Sequence, residues 1–71
     1  MTKPTGVTNC IRALRSEHDE MSQAALAARV GVTRQTLNAI ELGKYSPSLE
    51  VAFRIAGVFE VRVDEVFGFD A

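Results

Sequence analysis

Residues 22–42 of this chain, SQAALAARVGVTRQTLNAIEL, decide its fold. Ser22 can cap a helix, and Gly31 stands where a helix end often requires a left-handed residue. Thr33 can cap a second helix, which is expected to end near Leu42. The apolar side chains that repeat with helical spacing are Leu26, Ala27, Val30, Leu37 and Ile40. The stretch therefore predicts two helices joined by a three-residue turn.

The spacing of small and apolar residues here is that of a helix-turn-helix motif. Counted from Gln23, the fifth place is Ala27, where two helices nearly touch and only a small side chain fits. The ninth place is Gly31, within the turn. The other matching places form the apolar seam, and they are Leu26, Val30, Val32, Leu37 and Ile40. A plain helical hairpin without a ligand is the alternative, but seven matches without an internal proline favour the motif.

Three further helices are expected outside this stretch. A first helix begins at Thr8 or Asn9 and runs to about Asp19. A fourth helix follows Ser48 and is expected to be the most buried element, because apolar positions surround it. Those positions are Leu49, Ala52, Phe53, Ile55, Ala56 and Phe59. A short fifth helix is expected over residues 64–67, with acidic residues near its positive end.

The length of 71 residues allows one domain only. We expect residues 1–8 to be a flexible N-terminal tail and residues 9–71 to form the domain. Its fold class is all-α with five helices, and its helix-turn-helix motif covers about residues 22–42. A minor strand contact between Val7 and residues 67–69 is considered and not expected.

Composition excludes several classes of protein. Apolar residues make up 46% of the chain and charged residues 24%, which is typical of a globular domain. No apolar run approaches the roughly 18 residues of a membrane-spanning helix, and no signal peptide is expected at the N-terminus. The single cysteine, Cys10, excludes an internal disulfide and a multi-cysteine zinc site. We therefore expect a cytoplasmic protein without a metal or cofactor.

The net charge of −1 argues mildly against a nucleic-acid partner, because phosphate binding requires a basic surface. The distribution of charge is less uniform than that total. Residues 1–15 carry +3 and residues 29–44 carry +2, whereas residues 16–28 and 45–71 carry −3 each. Folding can therefore place positive charge on one face, although most such patterns are simply solvated surface.

The third helix presents an outward face of polar side chains, opposite its apolar seam. These side chains are Arg34, Gln35, Thr36 and Asn38. Arginine suits guanine O6 and N7, glutamine and asparagine suit adenine N6 and N7, and a threonine methyl group can contact thymine. An ordinary solvated helix face is the alternative for these residues taken alone. The surrounding motif favours contacts to bases.

The stretch MSQAALAARVGVTRQTLNAIELGKYSPSLEVAFRIA resembles the phage-repressor and Cro type of helix-turn-helix, also called the xenobiotic-response-element (XRE) family. It is especially similar to short stand-alone bacterial regulators of that family, and the resemblance covers about residues 9–67. It implies a lambda-repressor-like five-helix domain that binds double-stranded DNA, usually as a dimer. It also implies an ion pair between Glu41 and Arg15 with a structural role.

The resemblance implies a role for several individual residues. Base contacts are implied for Arg34, Gln35 and Asn38. Contacts closer to the DNA backbone are implied for Thr33 and Thr36. The start of the second helix can attract a phosphate, and the candidates there are Ser22 and Gln23. The loop after the third helix can clamp phosphates through Lys44, Tyr45 and Ser46, with partial burial as the alternative for Tyr45.

Three departures from the family pattern concern helix ends. One extra residue precedes the second helix, and we expect it in the loop around Asp19–Glu20. Glu60 stands where the family tends to have glycine after the fourth helix. A left-handed conformation there would cost about 1 kcal/mol, so we expect this helix to end differently. Arg62 replaces the usual serine or threonine cap of the last helix.

The sequence therefore predicts a DNA-binding transcriptional regulator, most simply a repressor that binds a pseudo-palindromic operator as a homodimer. The expected dimer interface consists of apolar side chains near the C-terminus: Val61, Val63, Val66, Phe67 and Phe69. An antitoxin that regulates its own operator is one alternative, and a protein-interaction adaptor of the same fold is another. No residue pattern supports catalysis or a small-molecule ligand.

Overall fold

The computed structural model describes residues 5–70, which form five α-helices and one two-stranded sheet. The elements follow the chain in the order β1 (Val7–Asn9), α1 (Ile11–Glu17), α2 (Gln23–Val30), α3 (Arg34–Glu41), α4 (Leu49–Val58), α5 (Val63–Val66) and β2 (Phe67–Phe69). The five expected helices are confirmed, and α2 and α3 are the two helices of the predicted motif. None of the helices within these residues is long and apolar enough to cross a membrane.

The small sheet corrects the expectation of a fold without strands. β1 and β2 pair antiparallel, with Val7 opposite Phe69 and Thr8 opposite Gly68. A Cβ atom on Gly68 would lie 2.9 Å from the Thr8 hydroxyl oxygen, so glycine permits this close pairing. Val7 and Thr8 were expected in the flexible tail, but they belong to β1. Residues 1–4 of the expected tail lie outside the described part of the chain.

The start of α1 also differs from the prediction, because Asn9 acts from within β1. Its side-chain Oδ1 accepts a hydrogen bond from the Ile11 backbone N–H at 3.0 Å. Its Nδ2 donates to the carbonyl of Ile40 at 3.0 Å, which ties the N-terminal segment to α3. α1 ends at Glu17 rather than Asp19. Asp19 has a positive φ of 57°, consistent with an extra residue in this loop.

The core lies between α2, α3, α4 and the start of α1. The largest fully buried side chains are Ile11, Leu26, Leu37, Ile55 and Val30. α4 buries Ala52, Ile55 and Ala56 but leaves Leu49 and Phe53 at the surface, where they are 72% and 60% exposed. The expectation that apolar residues all round α4 are buried is therefore wrong. One face of α4 lacks a covering element within residues 5–70.

The predicted caps of the central helices are confirmed. The hydroxyl of Ser22 accepts from the Ala25 N–H at 3.0 Å, and that of Thr33 accepts from the Thr36 N–H at 3.0 Å. Gly31 adopts a left-handed conformation with φ 80°, as the turn requires. These local bonds set where α2 ends and α3 begins, and so they orient the face of α3.

The end of α4 corrects the expectation for Glu60. Glu60 adopts a left-handed conformation with φ 56°, although it is not glycine. The backbone N–H of Val61 donates to the carbonyl of Ala56 at 3.1 Å, and that of Glu60 donates to Gly57 at 3.2 Å. This is the ordinary left-handed helix ending. The surrounding apolar contacts impose it despite the cost to the side chain.

The substitution Glu60→Gly is therefore expected to raise the free energy of unfolding by about 0.5–1 kcal/mol, because glycine adopts this φ without a Cβ clash. Urea denaturation followed by circular dichroism measures the change. The matched control is Gly31→Ala, which forces a Cβ atom into a position with φ 80° and 3.1 Å from the Arg54 guanidinium. That control is expected to destabilise. A lower stability for Glu60→Gly contradicts the assignment of strain.

The last short helix has an acceptor in place of the missing serine or threonine cap. The backbone N–H of Arg62 donates to the Glu65 carboxylate at 2.6 Å. The Glu65 N–H donates in turn to the carbonyl of Arg62 at 2.9 Å. Glu65 therefore supports the first turn of α5, as the glutamate of a capping box does.

Candidate nucleic-acid interface

The outward face of α3 carries the three side chains that the sequence assigned to base contact. Arg34, Gln35 and Asn38 are all exposed, whereas Leu37 and Ile40 on the opposite face are buried. Arg34 and Asn38 lie one helical turn apart and therefore share one side of the helix. Both line an open groove whose other side is the start of α2. The structure thus brings the predicted residues of α2 and α3 together.

We call this depression the recognition groove. Its lining residues are Arg12, Arg15, Ser22, Gln23, Ala24, Arg34, Asn38, Glu41 and Leu42. Arg12 is an addition to the residues expected from sequence. Its position after the buried Ile11 carries no such signal, and only the packing of α1 beside α2 brings it here. The charge of +3 on residues 1–15 was the available indication.

The charge of this face is not neutralised within the protein. The ion pairs within residues 5–70 involve Arg15 with Glu41, Arg54 with Glu50, and Arg62 with Asp64. The cations of this part of the chain that form none are Arg12, Arg29, Arg34 and Lys44. Two of these four, Arg12 and Arg34, line the recognition groove. The groove therefore presents free positive charge although the whole chain is slightly acidic.

The predicted pair between Arg15 and Glu41 is confirmed, and it lies at the floor of the groove. Arg15 Nε and NH2 donate to the two carboxylate oxygens of Glu41 at 2.8 and 2.9 Å. The third nitrogen, NH1, donates to the carbonyl of Met21 at 2.8 Å. The side chains of Arg15 and Glu41 are only 14% and 7% exposed. The pair therefore joins α1, the following loop and α3 in one fixed arrangement.

Gln23 contacts the protein rather than standing free at the start of α2. Its Nε2 donates to Asn38 Oδ1 at 3.0 Å and to Glu41 Oε1 at 3.2 Å. The amide nitrogen that was expected to reach a phosphate is therefore already engaged. The backbone N–H of Gln23 remains the donor for that expected contact.

The remaining backbone-contact candidates surround the groove at both ends of α3. Thr33 Oγ1 and Thr36 Oγ1 are 3.0 Å apart and hydrogen-bonded to each other at its start. The loop after α3 begins with Gly43, whose φ is 75°. Its three candidates, Lys44, Tyr45 and Ser46, are exposed. Tyr45 is 55% exposed, so its ring and hydroxyl remain largely accessible.

The expected dimer residues do not share one environment. Val66 is 2% exposed and belongs to the core, so its assignment to an interface is wrong. Phe69 is 74% exposed, in β2. The remaining three are partly buried and line an open depression that we call the apolar groove. Its lining residues are Phe53, Ala56, Gly57, Val61, Arg62, Val63, Asp64 and Phe67. Phe53 is the residue that the sequence analysis missed, because its helical spacing assigned it to the core.

The order of helices, the capped turn and the exposed polar face of α3 define a helix-turn-helix protein. A family model described as helix-turn-helix matches residues 11–66. The chain therefore belongs to the helix-turn-helix family, of the XRE type. It is a transcriptional regulator with a DNA-binding fold, and this family consists of DNA-binding regulators rather than enzymes.

Similar proteins occur among archaeal regulators and phage repressors. An uncharacterized HTH-type transcriptional regulator of Archaeoglobus fulgidus is 47% identical over 60 residues, covering 84% of each chain. One of Methanocaldococcus jannaschii is 44% identical over 62 residues, covering 87% of this chain and 92% of the relative. The P22 c2 repressor, solved in complex with a synthetic operator, is 28% identical with a TM-score of 0.69. That match covers 76% of this chain and 80% of the repressor chain.

Proposed function

We propose that the protein is a sequence-specific repressor that binds a pseudo-palindromic operator in double-stranded DNA as a homodimer. The observation that carries this proposal is the exposed face of α3, where Arg34, Gln35 and Asn38 stand on a capped helix. A helix of this kind enters the major groove with its first two turns. The complex of the P22 c2 repressor with a synthetic operator supports the same mode of binding.

The proposed division of roles follows the chemistry of the side chains. Arg34 is free of ion pairs within residues 5–70, so its guanidinium can bond guanine O6 and N7. Gln35 and Asn38 contact neighbouring base edges. Phosphates are held by the start of α2, by Thr33 and Thr36, and by the loop after α3. The loop residues are Lys44, Tyr45 and Ser46. Arg12 adds a further phosphate contact at the edge of the recognition groove.

The homodimer is proposed to form through the apolar groove. Phe53 is 60% exposed there and lies beside the partly buried Val61, Val63 and Phe67. Leu49 is 72% exposed one helical turn before Phe53, which extends the apolar surface along α4. Contiguous apolar surface of this kind on a small domain is typical of a protein interface. A second copy of the chain related by twofold symmetry would bury the same surface on both partners.

The two-copy arrangement sets the spacing of the operator. Two α3 helices in successive major grooves are separated by about 34 Å, which is one helical turn of DNA. Repression then follows because the bound dimer occupies a promoter. We also propose that the protein acts in the cytoplasm, where it reaches the chromosomal DNA.

Selection of bound fragments from a random DNA pool at two salt concentrations tests the function. We expect enrichment of an inverted repeat whose half-sites are about 10 base pairs apart, and we expect it to persist at the higher salt. Binding that disappears with salt and enriches no sequence contradicts sequence-specific recognition. That result favours an adaptor that binds a protein partner instead.

A variant of the apolar groove tests the dimer separately. Phe53→Glu places a charge in the proposed interface, so we expect a monomer by sedimentation equilibrium and selection of single half-sites. Arg54→Gln is the matched control, because it makes the next residue of α4 one unit more negative while removing only an exposed ion pair. The control is expected to remain dimeric. A dimer of unchanged stability in Phe53→Glu contradicts this interface.

A further inference from the structure

The Glu41 carboxylate sets the direction of a chain of hydrogen bonds that ends at the DNA-reading face. An ionised carboxylate only accepts hydrogen bonds, and Arg15 already donates two to it. Gln23 also contacts Glu41, at 3.2 Å from Oε1. The amide group of Gln23 must therefore present its nitrogen to Glu41, because its oxygen would meet a second acceptor.

The orientation of Gln23 determines the orientation of Asn38 in the same way. The Nε2 of Gln23 that bonds Glu41 also donates to Asn38, at 3.0 Å from Oδ1. Asn38 must present its oxygen to that N–H, since its own NH2 group would meet a donor. The Nδ2 of Asn38 therefore points away from Gln23. Within residues 5–70 it has no hydrogen-bond partner.

We propose that Asn38 reads DNA as a hydrogen-bond donor only, and that Gln23 is the positioning residue that imposes this. The proposal rests on the function proposed above and specifies the base that this position recognises. A free asparagine suits adenine, because it accepts from N6 and donates to N7 at the same time. An asparagine whose oxygen is held by Gln23 offers its NH2 group, which suits bases with a carbonyl oxygen in the major groove.

The expected preference follows from the edges of the four bases. Guanine offers O6 and N7 as acceptors, and thymine offers O4. Cytosine offers an N4 amino group, and adenine places its N6 amino group beside N7. An outward NH2 group meets another donor on both of these bases. Asn38 is therefore expected to select the keto bases, guanine and thymine, and to reject the amino bases.

Selection from a random DNA pool with the full chain and four variants tests this. The base position that contacts Asn38 is identified as the one whose preference is lost in Asn38→Ala. In the wild-type protein we expect guanine and thymine to exceed adenine there by about fivefold or more. Gln23→Ala releases the amide while leaving both Arg15–Glu41 bonds in place, so adenine is expected to rise to within about twofold of the keto bases.

Asn38→Asp gives the sharpest arm of the experiment. One carboxylate oxygen keeps the bond from Gln23, and the other faces DNA as an acceptor, so the preference should invert to cytosine and adenine. Arg54→Gln makes the same change in net charge on α4 and is expected to retain the keto preference.

The outcomes separate this proposal from the proposed function. An enriched operator with adenine opposite Asn38, or a keto preference that Gln23→Ala leaves unchanged, overturns the donor-only assignment alone. Failure of every variant and of the wild type to enrich any sequence overturns both. Inversion in Asn38→Asp together with relaxation in Gln23→Ala establishes the positioning role of Gln23.

Discussion

The Glu41→Ala variant is expected to lose about 3–5 kcal/mol of its free energy of unfolding, because it leaves the charge of Arg15 without a partner in a largely buried site. Arg15 is 14% exposed and donates two of its hydrogen bonds to Glu41. At about 0.05–0.15 kcal/mol per residue, a domain of this size has a total stability of only about 4–10 kcal/mol. Urea and thermal denaturation should therefore show a variant near the limit of folding.

The control for this prediction removes both charges together. In Arg15→Met combined with Glu41→Leu, no unpaired charge is buried, and the stability is expected to stay within about 1–2 kcal/mol of the wild type. The difference between single and double variants then measures the cost of the orphaned arginine. A single variant that loses less than about 1 kcal/mol contradicts the assignment of Arg15 as effectively buried.

The Arg34→Ala variant is expected to bind its selected operator about 5- to 150-fold more weakly, corresponding to the loss of one bidentate contact to guanine, about 1–3 kcal/mol. It is also expected to tolerate any base at one position of each half-site. Fluorescence anisotropy with the operator and with single-base variants at fixed salt measures both effects. Folding should be unchanged, because Arg34 is exposed and has no ion pair within residues 5–70.

Two other cations separate base reading from general charge. Lys44→Ala is expected to weaken binding uniformly across sequences and to reduce the salt slope by about one, as loss of a phosphate contact does. Arg54→Gln removes a charge on α4 and should leave affinity for the operator nearly unchanged. An Arg34→Ala variant that loses the same affinity on every sequence would assign Arg34 to phosphate contact instead.

The local features of the motif could be predicted because each depends on a few neighbouring residues. The Ser22 and Thr33 caps join a hydroxyl to an N–H three residues later, and Gly31 meets the need for a positive φ by itself. Helical periodicity likewise assigned Leu26 and Leu37 to the core, where both are fully buried.

Features that depend on distant neighbours were predicted wrongly or not at all. The two strands have three residues each, too short for an alternating pattern, and they pair across 60 positions of the chain. Phe53 has the spacing of a core residue, but no element packs over that side of α4 among the described residues. Val66 shows the opposite error, since α5 turns it into the core.

The sequence by itself determined the class of this protein, its motif and the side chains that face outward on the third helix. Those properties follow from short-range capping and periodicity, which operate within one or two turns of a helix. Only the tertiary structure brought Arg12 into the recognition groove and connected Arg15, Glu41, Gln23 and Asn38 in one hydrogen-bonded chain. Hydrogen bonds between side chains require contact within about 3.2 Å, and the packing of α1, α2 and α3 creates that contact.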